Sequence, residues 1–229
     1  MVKAAKVMRR LAICLLNFII CSLFVFACGK NTEKAQEFYL KGKEAYTRQE
    51  LDTARAHFSE ALNHDKTLLN AHLMIAKIHY FKKEFGDALS RVSIILKENR
   101  DHTGGLFWKA RILTVMPKKD NADEQTLELQ AIESLTRVLE LDSHHIHARS
   151  LLALLYEKRA LYKEALAEYL TALEEEEALV NTRANLGLLY RRMGLKDKSI
   201  REMKTALKIA DAAEVNKKGL QVIMGEIEK

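Results

Sequence analysis

The feature that most constrains the fold is a pattern of small and bulky apolar residues that returns along most of the chain. It is clearest in residues 50–62, 84–96 and 162–173. Aligning the chain on the first small residue of this pattern gives five anchors, separated by 34, 34, 43 and 34 residues: Ala54, Ala88, Ala131, Ala165 and Ser199. A period of this length predicts a stack of repeated supersecondary units, because one unit alone cannot bury its apolar face.

Each repeat is expected to contain two helices. The chain has one Pro and 9 Gly in 229 residues, and it is rich in the residues that favour helix over strand. A helix–turn–helix repeat of 34 residues resembles the tetratricopeptide repeat. The resemblance implies an all-α fold, a right-handed superhelical array of five repeats at 35–68, 69–102, 103–145, 146–179 and 180–213.

The resemblance rests on the residues at fixed positions of the repeat. Position 8, which is small in the family, is occupied by Gly42, Ala76, Ala110, Ala153 and Gly187. Position 24, which is bulky, is occupied by Phe58, Val92, Leu135, Tyr169 and Met203. Small residues let the two helices of a repeat approach closely, and bulky residues fill the space between repeats. The chain lacks the Trp at position 4 and the Pro at position 32 that are typical of the family.

Two segments depart from the repeat. Repeat three has nine extra residues, placed at Val115–Thr126, where Pro117 and polar neighbours predict a longer loop between the two helices. This loop is either a plain surface insertion or a contact for a partner. Residues 214–229 are expected to form a C-terminal helix that caps the open end of the stack, with apolar residues at helical spacing: Leu220, Ile223, Met224 and Ile227.

The N-terminal residues differ from the rest of the chain. A basic start is followed by an uncharged apolar run at 11–27, which ends in Ala27 directly before Cys28. This order is typical of a secretory signal. A Cys in this place resembles the lipobox of bacterial lipoproteins, in which the Cys thiol is acylated and becomes the new N-terminus. The resemblance implies a signal peptide at 1–27 and a lipidated N-terminus with a short linker at 28–34.

Two alternatives for the N-terminal segment stay open. An apolar run of 17 residues is close to the shortest that spans a membrane, so the segment is otherwise an uncleaved helical anchor, or a cleaved signal without lipid. The lipoprotein interpretation tethers the protein to the bacterial envelope, facing the periplasm. Gly29 differs from the inner-membrane retention signal of enteric bacteria, which favours the outer membrane.

Charge and side-chain chemistry exclude several classes of function. Loss of the four basic residues of the signal lowers the net charge from +6 to +2, so the basic pI does not indicate a nucleic-acid partner. No Cys follows position 28, which leaves no disulfide and no thiol nucleophile. No phosphate loop, nucleophile elbow or paired-carboxylate motif is present, so we expect neither an enzyme nor a cofactor. His144, His145 and His147 cluster without a carboxylate or Cys at ligand spacing, and no metal site is predicted.

A partner-binding groove is the function that the resemblance implies. In the family, positions 2, 5, 9 and 12 of the first helix face a concave surface that binds peptides or partner helices. In repeats one to three, cations stand beside aromatic rings at these positions, and the predicted groove residues are Tyr39, Lys43, Tyr46, Asn70, Lys77, Tyr80, Phe107 and Arg111. They favour a protein or peptide that is acidic or ends in a free carboxylate. Alternatively, Lys and Tyr are ordinary residues of exposed helix faces. Repeats four and five interrupt the pattern with His147, Leu154, Glu157, Asn181, Leu188 and Arg191.

The combined layout predicts a membrane-anchored scaffold for protein–protein interactions in envelope assembly, secretion or pilus biogenesis. It resembles pilotin-like lipoproteins of type IV pilus biogenesis and repeat lipoproteins of outer-membrane assembly. The alternative is a small-molecule-binding partner lipoprotein of an uptake transporter, which requires an enclosed pocket in place of an open groove.

Overall fold

The computed structural model describes residues 32–118, 120–176, 179–213 and 217–228, and every regular element in these ranges is an α-helix. Helix α1 spans residues 32–47. The helices that follow are α2 (Leu51–His64), α3 (Leu69–Phe81), α4 (Phe85–Glu98), α5 (Thr103–Val115), α6 (Asn121–Leu141), α7 (Ile146–Lys158), α8 (Tyr162–Glu175), α9 (Val180–Arg192), α10 (Lys196–Ala212) and α11 (Lys218–Glu228). The predicted all-α array of helical pairs is confirmed. The chain divides into two compact units, residues up to Ile95 and residues from Leu96.

The turn inside four of the five repeats has one shared backbone geometry. A residue with positive φ follows the first helix, and the next N–H donates to the carbonyl five residues back, as at the C-terminal end of many helices. The positive-φ residues all stand at position 15 of the repeat: Gln49, Lys83, Ala160 and Gly194. In repeat three this position is Pro117, whose ring fixes φ near −65°. Pro117 therefore excludes the shared turn from repeat three.

The predicted loop at Val115–Thr126 is wrong in its second half, because α6 already begins at Asn121. The Asp120 carboxylate caps this helix and accepts a hydrogen bond from the backbone N–H of Asp123 at 2.8 Å. Helix α6 has 21 residues, whereas α2, α4 and α8 have 14 each. Most of the insertion therefore lengthens a helix by about two turns.

The core of the first compact unit is built on the contact between positions 8 and 24. The Phe58 ring is fully buried. A Cβ placed on Gly42 would stand 2.7 Å from Cδ1 and Cε1 of that ring, closer than carbon atoms pack. The rest of this cluster is formed by Ala45, Ala54, Leu62, Ala71, Ile75 and Ile78. The absence of a side chain at Gly42 is thus what admits the Phe58 ring.

The second compact unit repeats this arrangement with other side chains. Tyr169, at position 24 of repeat four, is fully buried with Ala153 of position 8 in the same cluster. The C-terminal helix α11 buries Met224 and Ile227 against Ala184 and Met203, and the prediction of a capping helix is confirmed.

None of the helices in the described ranges is both long and apolar enough to cross a membrane. The predicted signal peptide at 1–27 and the lipidation site Cys28 lie outside the described residues.

Two glycine substitutions test the contact between positions 8 and 24. Gly42→Ala should lower the free energy of unfolding by about 1–3 kcal/mol, because the added methyl group meets a ring that is buried on all sides. Gly86→Ala is the matched control: it lies in α4 with no atom within 4 Å of an added Cβ. It should leave stability unchanged or raise it by up to about 1 kcal/mol, since Ala is the better helix former. Urea unfolding followed by circular dichroism measures both, and equal effects would contradict this packing.

Candidate functional site

Three first helices, α5, α7 and α9, line an open groove in the second compact unit. The groove has a volume of about 570 Å³. Residues three or four apart on one helix share a face, and the lining residues of α5 and α7 follow this spacing. They are Phe107, Arg111, His147, Ser150, Leu151, Leu154, Leu179, Val180, Asn181, Thr182 and Asn185.

At one end of the groove, a cation packs against aromatic rings. The Arg111 guanidinium carbon lies 4.6 Å from the centre of the Trp108 ring and 5.8 Å from that of Phe107. The Phe107 ring in turn lies 4.9 Å from the His145 ring. His145 is fixed because its Nδ1 accepts a hydrogen bond from the N–H of Ala148 at the start of α7. Stacking on rings orients the guanidinium, whose planar fork of N–H groups matches a planar acid group.

The other side of the groove is polar and uncharged. Ser150 and Thr182 share a hydrogen bond of 3.0 Å across the two helices. Asn185 is half-buried, whereas Asn181 is exposed. An Asn side chain both donates and accepts, as the main chain of an extended peptide does.

The charge of the groove favours polar or acidic ligands. No carboxylate is found among the lining residues that the structure describes. Arg111 supplies a permanent positive charge. Leu151 and Leu154 provide apolar surface between them. The arrangement suits an extended segment with apolar side chains and an acid group.

The structure brings Phe107 and Arg111 of the predicted site together in this groove. Repeats four and five, which interrupt the pattern in the sequence, contribute most of its lining, including His147, Leu154 and Asn181. Leu188 and Arg191 do not line it. Leu188 packs beside α11, and Arg191 Nη1 lies 3.9 Å from a Glu226 carboxylate oxygen in that helix.

Six lining residues were not predicted from the sequence, and they are Ser150, Leu151, Leu179, Val180, Thr182 and Asn185. Of the polar ones, Ser150 stands at position 5 of repeat four, which the family uses, and Thr182 and Asn185 stand within one helical turn of such a position. Short polar residues at or near the groove positions of the family were the signal in the sequence that could have identified them.

The other predicted groove residues belong to the first compact unit. Tyr39 and Tyr46 are half-buried against the core cluster, and the Tyr39 ring lies 5.5 Å from the Phe58 ring. Burial raises the pKa of the Tyr39 hydroxyl. These two rings therefore stabilise the core as well as presenting an edge to solvent.

The remaining predicted residues differ in exposure. Tyr80 makes edge contacts with Phe81 and Phe85, and Lys77 is half-buried. Lys43 and Asn70 are exposed. Since Lys43 and Lys77 lie in the first unit and Arg111 in the second, a continuous row of three cations stays a prediction.

One trio in the described ranges has the side chains to hold a metal ion. Ligand atoms of His79, Glu84 and Asp87 lie within 4.8 Å of one another. The hydrogen bond of 2.5 Å from His79 Nδ1, together with the charges of His79, Lys82 and Arg55, holds the pKa of Glu84 below its usual value. Two permanent cations beside Glu84 oppose a further cation. The trio is therefore best explained as a link between α3 and α4.

The clustered histidines serve structural contacts. His144 Nδ1 lies 2.8 Å from a Glu175 carboxylate oxygen, His145 caps α7, and His147 lines the groove.

Comparison with known proteins supports the helical-repeat fold. Residues 180–212, which hold α9 and α10, match the family model of the tetratricopeptide repeat. No curated protein sequence matches the chain. Among solved structures, the thermophilic tetratricopeptide repeat protein TTC0263 of Thermus thermophilus is 19% identical with a TM-score of 0.70, over 84% of this chain and 98% of that one.

Two further structures are similar. MamA of Desulfovibrio magneticus RS-1 is 14% identical with a TM-score of 0.64, over 78% of this chain and 96% of that one. YrrB, described as a tetratricopeptide repeat protein with an unusual peptide-binding site, is 18% identical with a TM-score of 0.57, over 81% of this chain and 91% of that one. At these identities the likeness concerns the fold. The chain contains a tetratricopeptide repeat at residues 180–212 and has the fold of the tetratricopeptide repeat proteins.

Proposed function

We propose that the protein is a non-catalytic scaffold that binds an extended segment of a partner protein in the groove between α5, α7 and α9. The observation that carries this proposal is the lining of the groove: a ring-stacked Arg111, Asn and hydroxyl side chains, and no acid among the described lining residues. The peptide-binding site named for YrrB, a protein of the same fold, supports it.

Each part of the lining has a role in this binding. Asn181 and Asn185 hydrogen-bond to the main chain of the segment, and Leu151 and Leu154 pack against its apolar side chains. Arg111 receives an acidic side chain or a terminal carboxylate in a bidentate pair. Because the guanidinium is already held on two rings, less side-chain entropy is lost on binding than for an Arg without such contacts.

In the first compact unit, Lys43 is exposed and Lys77 is half-buried. Their positive charges contribute to binding of the same partner. Charges that do not contact a ligand act mainly on the rate of encounter. They favour the same acidic class of partner as Arg111.

We further propose that the scaffold is tethered to a membrane by acyl chains on Cys28, facing the periplasm from the outer membrane of a bacterial envelope. Only residues 28–31 separate this thiol from α1, and an extended chain spans at most about 3.6 Å per residue. The first repeat would therefore stand within roughly 14 Å of the lipid surface. A scaffold held in this way serves an envelope assembly, a secretion machine or pilus biogenesis.

Groove variants test partner binding directly. The partner should be captured from the envelope of the producing bacterium by the wild-type protein and lost with the double variant Arg111→Gln, Asn181→Ala. Arg201→Gln is the matched control, since it removes an equal charge from an exposed position on α10. Capture should also weaken as salt rises, because the Debye length falls from about 8 Å to about 3 Å at 1 M.

Other results would contradict this assignment. Retention by the groove variant together with loss by Lys43→Gln, Lys77→Gln would place the interface in the first compact unit. A bound low-molecular-mass ligand with no protein partner would favour the small-molecule binder.

The lipid anchor is tested at its thiol. Mass spectrometry of the membrane-extracted protein should find an N-terminus at Cys28 that carries several acyl chains, since a single chain binds membranes only weakly. Cys28→Ser should release the protein from the membrane fraction or leave its precursor unprocessed, whereas Cys14→Ser and Cys21→Ser should change neither. An unmodified N-terminus at Met1 would contradict the proposal.

A further inference from the structure

A second cavity, which we call the end pocket, lies where α5 and α7 reach their last turns. It has a volume of about 290 Å³, and its apolar wall is formed by Leu154 and Leu155 beside Thr114. Leu154 also lines the groove, so the two cavities adjoin. Thr114 follows Arg111 by three residues on α5, which places the end pocket about one turn further along the same helix face.

Two buried carboxylates face this cavity. The Glu157 side chain is 5% exposed, and it accepts a hydrogen bond of 3.1 Å from the Tyr169 hydroxyl. The Glu128 side chain is 9% exposed. Burial raises the pKa of Glu157, although the charge of Arg192 and the Tyr169 hydroxyl oppose that rise. Both carboxylates require a cation or hydrogen-bond donors to remain ionised at these depths.

The cations that pair with these carboxylates are much more exposed. Arg192 Nη1 lies 3.1 Å from Glu157 Oε1, and the Arg192 side chain is 56% exposed. Lys158 contacts Glu128 and is 47% exposed. Each ion pair therefore joins a fixed, buried acid to a base that has water on one side.

This asymmetry decides which partner of each pair can be replaced. An exposed Arg or Lys can turn into solvent once another cation has taken over its carboxylate, because its own charge is readily hydrated. A buried carboxylate that loses its cation without replacement is strongly destabilised. An incoming cation can therefore take the place of Arg192 or Lys158, whereas an incoming anion would have to compete with carboxylates that cannot leave.

We infer that the end pocket binds the side chain of a Lys or Arg residue from the partner segment. Its cation pairs with Glu157 or Glu128 in place of Arg192 or Lys158, and its methylene stem packs on Leu154 and Leu155. The inference rests on the proposed function, since the segment that supplies this side chain runs through the adjoining groove. The partner segment is therefore expected to carry a basic residue in addition to the apolar and acidic groups that the groove favours.

A small molecule that carries an Arg side chain tests binding in the end pocket in the absence of the partner. The full chain in detergent, labelled at Leu methyl groups, is titrated with N-acetyl-arginine methylamide and followed by NMR. The Leu154 and Leu155 resonances should shift with saturation in the millimolar range. N-acetyl-norleucine methylamide, which has a similar stem without charge, and N-acetyl-glutamate methylamide should bind at least about fivefold more weakly, because neither brings a cation to the buried acids.

Two variants with a matched control separate local from general charge effects. Glu157→Gln should weaken binding of the arginine probe by about fivefold or more, because a buried acid is lost. Arg192→Gln should strengthen it by about twofold or more, because the internal competitor is removed. Arg191→Gln removes the same charge one residue away, outside the pocket lining, and should leave binding unchanged.

Several outcomes would overturn the inference. They are equal binding of the arginine and norleucine probes, stronger binding of the glutamate probe, or equal gains from Arg191→Gln and Arg192→Gln. If Glu157→Gln does not fold by circular dichroism, Arg192→Gln decides alone, since its side chain is exposed. If the arginine probe does not bind while the partner is still captured, the inference about the end pocket is wrong and the groove proposal stands. If the groove variants still capture the partner, the proposed function is wrong, whether or not the arginine probe binds.

Discussion

The close contact between a small and a bulky residue inside a repeat, seen in repeats one, four and five, is the constraint on which the rest of the structure depends. Gly42 admits the Phe58 ring, and Ala153 joins the cluster around Tyr169. At Gly187 an added Cβ would lie 3.5 Å from Cε of the buried Met203 side chain, so positions 8 and 24 also meet in repeat five. A helix pair packed this tightly still has an apolar face to bury, and that face is covered by its neighbours. The alignment of α5, α7 and α9 along one groove follows from this stacking.

The turn between the paired helices explains why repeat three differs. Four repeats use a left-handed residue at position 15, and Pro117 cannot adopt that conformation. The connection becomes longer, and the added residues are taken up by the N-terminal turns of α6. Glu124 in these turns, and Glu128 directly after them, contact Lys158 of the next repeat. The longer helix therefore gives Lys158, which contacts the acid at the end pocket, a second carboxylate partner.

The sequence predicted the helices because their pattern of small and bulky residues is local. Phe107 and Arg111 lie one turn apart on a single helix, so their common face followed from their spacing in the sequence. The helical part of the insertion was missed because Pro117 is a stronger local signal than the Asp120 cap that follows it. Glu128 was not noticed because its burial depends on contacts from a different repeat. The lipid on Cys28 and the three-cation row stay predictions.

The position of the partner segment is best measured by site-specific photo-cross-linking in the cells that produce the protein. A photoreactive side chain is placed at Leu154 in the groove or at Leu170 on α8, two positions of nearly equal exposure at 39% and 41%. Binding in the groove predicts a cross-linked partner from position 154 and none from position 170. A partner cross-linked from position 170 and absent from position 154 would contradict it.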